Sequence, residues 1–233
     1  MRLLVSPVNA SEAEAAMAGG ADILDVKNPR EGSLGANFPW VIRSVAAVSA
    51  GRIPVSATIG DFDYKPGTAS LAALGAAFSG ADYIKVGLLK IRSREEAADM
   101  LGNISRSIKE FDEGKRLVAA AYSDYARVGS ISPMELPEVA AECGADVVMV
   151  DTAIKDGMTT FQFMTESEIA EFISAGHDRG MEVAIAGTIK FTDLALLKRA
   201  GPDIIGVRGA VCGGDRSGEI KEELVRRMKA DLS

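Results

Sequence analysis

Cysteine and histidine are nearly absent from this chain of 233 residues, which has two of the first and one of the second. Cys143 and Cys212 are too few and too far apart for a disulfide framework, and with His177 they do not make up the four ligands of a structural zinc site. No apolar run is long enough to cross a bilayer, and no stretch has the pattern of a secretory leader. Basic residues are also in short supply. With 26 Lys and Arg against 33 Asp and Glu, the formal net charge of -7 leaves no basic face for a nucleic-acid backbone. Small anions stay open as ligands, because a local pocket can be positive inside an acidic protein. A linker rich in Ser, Pro or charge is missing too. The expectation is one domain over residues 1–233, located in the cytoplasm, binding neither nucleic acid nor membrane and needing no metal or cofactor. What is present is apolar material, 47% of the chain, enough for a sizeable core.

That material is organised as a repeat. "GADILDVK" from Gly20, "GADYIKVG" from Gly80, "GADVVMVD" from Gly144 and "GPDIIGVR" from Gly201 align, at a spacing longer than that of solenoid repeats. Between them lie "RLLVSP" at Arg2, "RIPVSATIG" at Arg52, "RLVAAAYSD" at Arg116 and "EVAIAGTI" at Glu182, which brings the candidate strands to eight. Connecting segments such as "NASEAEAAMAGG", "TASLAALGAAFSG" and "TESEIAEFISAGHDRG" carry helix caps, amphipathic spacing or a terminal glycine. Eight alternations in this length predict an α/β fold of the (β/α)8 TIM barrel type. An open doubly wound sheet explains neither the fourfold repeat nor the lack of a G-x-G-x-x-G phosphate loop.

The repeat sorts the charges. Asp22, Asp82, Asp146 and Asp203 follow helix-ending glycines, so they belong at the bottom of the barrel as turn and cap residues. Val26, Val86, Val150 and Val207 should face the helices. Their neighbours then face the axis, because side chains alternate along a strand. Asp25, Lys85, Met149 and Gly206 form one predicted layer, and Lys27, Gly87, Asp151 and Arg208 lie roughly 6 to 7 Å above it, at the end where barrel enzymes keep their sites. Odd strands add small residues there, Ser6, Ser56, Ala57, Ala120 and Gly187, which leaves room for a ligand.

Buried, unpaired ions cost several kcal/mol each, so a set of them at the catalytic end points to chemistry more than to a structural ion network. A lysine desolvated among other cations loses its proton and can attack a carbonyl. The iminium so formed acidifies the adjacent carbon, and a second lysine or a carboxylate takes the proton. Lys27, Lys85 and Lys155, in "VDTAIKDG", are the candidate amines, with Asp25 and Asp151 as partners for proton transfer; which amine attacks first stays open.

"AGTIKFTD" after strand seven and "VRGAVCGGDRSGEI" after strand eight supply the glycines and the helix start of a phosphate cradle. The candidate substrate and phosphate contacts are Ser6, Gly187, Thr188, Arg208, Gly209, Gly213 and Gly214. The loops "NPREGSLGANFP" and "GDFDYKPGT" are long for βα connections and either cover the mouth or meet a neighbouring subunit. Tyr122, Asp124 and Arg127 can touch substrate or brace a loop. His177 reads as a surface residue, Cys212 as packing, and Trp40 as core or interface; apolar positions around Phe38 and Trp40 suit a homo-oligomer.

The strings "LLVSP", "GADILDVKNPREGSLGANFPWVI", "YKPGT", "SGADYIKVGL", "VDTAIKDG" and "IIGVRGAVC" resemble the (5-formylfuran-3-yl)methyl phosphate synthase family, also called 4-(hydroxymethyl)-2-furancarboxaldehyde-phosphate synthase, nearly end to end. The resemblance implies a lyase of methanofuran-type cofactor biosynthesis that joins two molecules of glyceraldehyde 3-phosphate and loses phosphate and water. It also implies that Lys27 in "DVKNP" forms the Schiff base and Lys85 in "YIKVG" accepts a proton, with Asp25, Asp151 and Lys155 assisting. Two alternatives remain on the residues alone: a class I aldolase or sugar-phosphate isomerase, and a non-catalytic barrel that binds phosphorylated metabolites.

Overall fold

Strand and helix alternate from the first residues of the computed structural model, which describes residues 1–232. The order is β1 (Arg2–Val5), α1 (Ala10–Ala18), β2 (Ile23–Val26), α2 (Pro39–Ser49), β3 (Val55–Asp61), α3 (Pro66–Phe78), β4 (Tyr83–Gly87) and α4 (Arg94–Phe111). It continues with β5 (Arg116–Tyr122), α5 (Tyr125–Val128), α6 (Leu136–Glu142), β6 (Val147–Asp151), α7 (Glu166–His177), β7 (Glu182–Ile185), α8 (Leu194–Ala200), β8 (Ile204–Val207) and α9 (Glu222–Leu232). The helices start where the capping residues predict. Asn9 accepts the N–H of Glu12, Ser93 that of Glu96, and Thr165 forms a reciprocal capping box with Glu168.

Each strand pairs in parallel with the next, and β8 returns to β1, closing the barrel. Closure removes both sheet edges and buries both faces, so the strands read as near-continuous apolar runs. The outward valines Val26, Val86, Val150 and Val207 all lie in the core between strands and helices. A second, smaller core fills the axis, with Leu4, Ile23, Tyr83, Val118, Val147 and Met149 among its members. Ala57 belongs to the outer core, contrary to its expected place in the mouth; Ser56, one position earlier on the alternating strand, faces inward instead.

Gly20, Gly80, Gly144 and Gly201 take φ of 93°, 100°, 70° and 72°, the left-handed conformation that ends a helix. The aspartate two residues later clasps the preceding strand. Asp22 accepts the N–H of Leu3 at 2.6 Å, and Asp82, Asp146 and Asp203 accept those of Val55, Leu117 and Val183, each at 2.8 Å. Each also donates its own N–H to the carbonyl of that same residue. The four clasps form the barrel floor, as expected of them.

Two long connections behave differently from each other. Much of "GDFDYKPGT" is not loop at its start, because β3 runs on to Asp61 through an irregularity against β4, with Gly60 at φ 124°. "NPREGSLGANFP" folds over the mouth. Its Ser33 hydroxyl donates to the Thr152 carbonyl beyond β6 at 2.7 Å, and Leu34, 0% exposed, drops into the inner core. Asp61 accepts the Leu34 N–H at 3.0 Å and the Tyr122 hydroxyl, while Thr58 donates to the Gly35 carbonyl at 2.7 Å. This strap roofs the side of β3 to β5, and the opening is left beside β6, β7, β8 and β1. Trp40 stays outside the core: it is 60% exposed and stacks on Phe38 with ring centroids 4.6 Å apart.

Candidate active site

The charges fall in two tiers at the open end. In the lower tier, Asp25 is fully buried; its Oδ2 accepts from Lys85 Nζ at 2.6 Å and from the Ser6 hydroxyl at 3.0 Å, and its Oδ1 from the Ser56 hydroxyl at 2.8 Å. In the upper tier, Asp151 Oδ1 accepts from Lys155 Nζ at 2.5 Å and from the Thr152 N–H at 2.7 Å, and Lys155 also reaches the Thr152 hydroxyl at 2.9 Å. Lys155 is off the strand, so a loop has to deliver it. Asp124 holds that loop by accepting the N–H groups of Ala153 and Ile154 at 2.6 and 3.0 Å, and Arg127 pairs with Asp156 at 2.7 Å. Asp124 and Arg127 are therefore loop braces.

Lys27, Lys85, Asp25, Asp151 and Lys155 all line one cavity of about 250 Å³. Its wall carries five basic side chains, the three lysines with Arg208 and Arg216, against three carboxylates, Asp25, Asp151 and Asp215. Basic groups thus outnumber acidic ones there, within a protein of net charge -7.

Lys27 stands apart among the lysines. Lys85 and Lys155 each hold a carboxylate at ion-pair distance, and among the described residues Lys27 Nζ holds none. Burial pushes its ammonium down to about 7; Asp151 and Asp25 oppose the shift, and Lys85 and Lys155 add to it. Near neutral pH much of it is a free amine. For Asp25 burial works toward protonation, and Lys85 and Lys27 outweigh it, holding the carboxyl below the ordinary range. Asp151 is likewise held low by Lys155 and Lys27 against its own burial. The arrangement gives Lys27 a substantial share of free amine at neutral pH, while Asp25 and Asp151 are both held below the ordinary carboxylate range.

Of the expected phosphate contacts, Gly187, Thr188, Gly209 and Gly214 line the cavity. Gly187 has φ 97°, and a Cβ there would lie 2.1 Å from Thr160 Oγ1, so backbone alone fits between the β6 and β7 loops. Gly213 lies outside the lining. Ser6 and Arg208 are at the wall, with their polar atoms already engaged. The Ser6 hydroxyl serves Asp25, and its carbonyl accepts from Arg208 Nη1 at 2.7 Å. Arg208 further donates to Glu12 at 2.7 and 3.2 Å and to the carbonyls of Arg216 and Gly218 at 2.6 and 3.0 Å, so it is a buried strut rather than an open anion site.

Sequence reasoning missed Asp61, which fastens the strap, and Arg216, a cavity-lining cation. Asp61 is hidden because strict alternation on β3 would point it at the helices, and the irregularity after Thr58 turns it inward. Arg216 is in a glycine-rich loop with no periodicity to read. His177 bonds Asp203 at 2.8 Å on the barrel floor, and Cys212 is buried in the outer core, its thiol pushed up to about 11 by burial. Neither takes part in the site.

Residues 3–229 match the family model described as 4-HFC-P synthase. The chain belongs to that family. Among named relatives of the family, (5-formylfuran-3-yl)methyl phosphate synthase of Methanosarcina mazei is 63% identical over 231 residues, 99% of each chain. The protein of the same name from Archaeoglobus fulgidus is 55% identical over 98% of this chain and 97% of its own. The closed barrel also has counterparts among solved structures. A 3-hexulose-6-phosphate synthase superposes with a TM-score of 0.62 at 18% identity, each chain covered to 100%. Phosphoribosyl anthranilate isomerase from Thermus thermophilus gives 0.65 at 16%, covering 100% of this chain and 98% of its own. At such identity these two show the fold alone. Among the described residues no helix is long and apolar enough to cross a membrane.

Proposed function

We propose that this enzyme joins two molecules of glyceraldehyde 3-phosphate into (5-formylfuran-3-yl)methyl phosphate through an imine on Lys27, as a lyase of methanofuran-type cofactor biosynthesis. The observation that carries the reading is the unpaired Lys27 amine, with an acidity near 7, at the wall of a cavity where basic groups outnumber acidic ones. A neutral amine at that position attacks the carbonyl of one triose, and loss of water leaves the imine. The iminium draws electrons from the adjacent carbon. The Lys85–Asp25 pair one layer below takes that proton as a unit, the carboxylate supplying the basic site and Lys85 relaying the proton to it. The carbanion attacks the aldehyde of the second triose, dehydration and loss of phosphate close and aromatise the ring, and water then hydrolyses the imine to free the formyl group and Lys27. Atom balance requires one phosphate and two waters to leave. Lys155, hydrogen-bonded to both Asp151 and Thr152, is the proton donor for the leaving groups nearest the loops. Retention of one phosphate fits the glycine-lined β7 and β8 loops. The same reading places the enzyme in the cytoplasm, without a cofactor, as a homo-oligomer that covers Phe38 and Trp40.

Borohydride reduction in the presence of glyceraldehyde 3-phosphate, followed by peptide mass mapping, tests the imine. The expected adduct is on the peptide carrying Lys27, and Lys27→Ala is expected to lose both the adduct and turnover while keeping the fold. Full activity in that variant would remove Lys27 from the mechanism. Incubation with the triose phosphate alone separates this reaction from an aldolase or an isomerase, since only the synthase yields a furan chromophore and free phosphate.

A further inference from the structure

Phosphate monoesters are dianions near neutral pH, and a guanidinium that recognises one needs N–H donors left over from its protein contacts. The two arginines in the cavity wall differ in this respect. Arg208 directs Nε, Nη1 and Nη2 to five protein acceptors, among them both carboxylate oxygens of the buried Glu12. Its charge is matched by Glu12 at 2.7 Å. Arg216 makes one side-chain hydrogen bond, from Nη2 to the Gly32 carbonyl at 3.1 Å, and no carboxylate pairs with it among the described residues. It is half-buried, and its side chain runs from the β8 loop across the mouth to the strap that covers the other side.

We infer that Arg216 is the guanidinium that binds a substrate phosphate, and that Arg208 acts as its positioning residue by fixing the Arg216 carbonyl. This rests on the phosphorylated-triose reading above and specifies a residue for it. The backbone of Arg216 passes 3.9 Å from where a Cβ on Gly209 would sit, so its root is beside the glycine turns while its head lies at Gly32 over the opening. An anion at that head would lie between the β8 loop and the strap. Of the two phosphates brought in by two trioses, the glycine turns suit one and Arg216 the other. Asp151 and Asp61 are the carboxylates whose fields reach Arg216, and neither forms an ion pair with it, so four of its five N–H donors stay open to a ligand.

Titration calorimetry of the whole chain with inorganic phosphate as the probe tests the assignment. Arg216→Gln keeps a polar side chain of partial length and removes the charge. It is expected to weaken phosphate binding about tenfold or more, with partial recovery in Arg216→Lys. In turnover the same Gln variant should raise KM for glyceraldehyde 3-phosphate by a similar factor with a smaller change in kcat. Borohydride labelling of Lys27 by unphosphorylated glyceraldehyde should be unaffected. Wild-type affinity for phosphate in Arg216→Gln, or no phosphate binding by the wild-type chain, would overturn the assignment. Because the titration involves no turnover, Arg216-dependent phosphate binding in a chain that makes no furan would refute the reaction and leave the subsite standing.

Discussion

An amine that titrates near 7 in the fold and near 10.5 when unfolded makes stability depend on pH. Between those values the unfolded chain holds the extra proton, so stability rises with pH across the window and the penalty is complete below about pH 7. Lys27→Met, similar in length and uncharged, should exceed the wild type by about 1–4 kcal/mol in denaturant titrations below pH 7. The difference should shrink toward pH 10.5, and a gap independent of pH would show that Lys27 is not desolvated in this way. On the same basis kcat/KM should climb with pH through about 7 as the amine is freed, measured from initial rates of furan absorbance. Lys27, Lys85, Asp25 and Asp151 were legible in the sequence because strand alternation fixes which side chains share a face. Arg208 had the right alternation, and its engagement by Glu12 was not legible, since nothing in the strand pattern indicates that Glu12, on α1, comes to meet it.

Among the elements, the β6 loop and the strap do most to shape the cavity, and neither has a periodic pattern. Asp124 sits after β5 yet holds the two amides that lead into Lys155. Asp124→Ala should therefore leave borohydride labelling at Lys27 intact and lower kcat by about tenfold to a hundredfold, as misplacement of a proton donor does. An unchanged kcat would mean the loop keeps its shape without that brace. In the strap, Leu34→Ala should cost about 2–5 kcal/mol by emptying part of the inner core. It should also expose residues 28–37 to protease before the barrel melts; equal cleavage of variant and wild type would count against the strap's dependence on Leu34. That the loop covers the mouth could be posed from its length, but the choice between roof and subunit contact needed the Ser33, Leu34 and Asp61 contacts.

For the molecule as a whole, the fourfold glycine and aspartate repeat made the barrel readable before any coordinate. Each unit pairs a helix stop with a strand clasp, and each clasp has the same two hydrogen bonds. Chemistry and stability are thus placed at opposite ends. Asp82→Ala, which leaves the Val55 amide without its acceptor, should lower stability by about 1–3 kcal/mol, or several degrees in Tm, with kcat unchanged. A fall in kcat at full substrate would show that the two ends are coupled. The irregular β3 and the divided segment between β5 and β6 were the parts the repeat did not predict, because both depart from it.

With the strap bolted across half the rim, the cavity is entered from the side that the strap leaves uncovered. In the proposed reaction traffic is then sequential: the first triose to arrive takes the deep berth beside Lys27, and the second lies above it and blocks the way out until the ring is made.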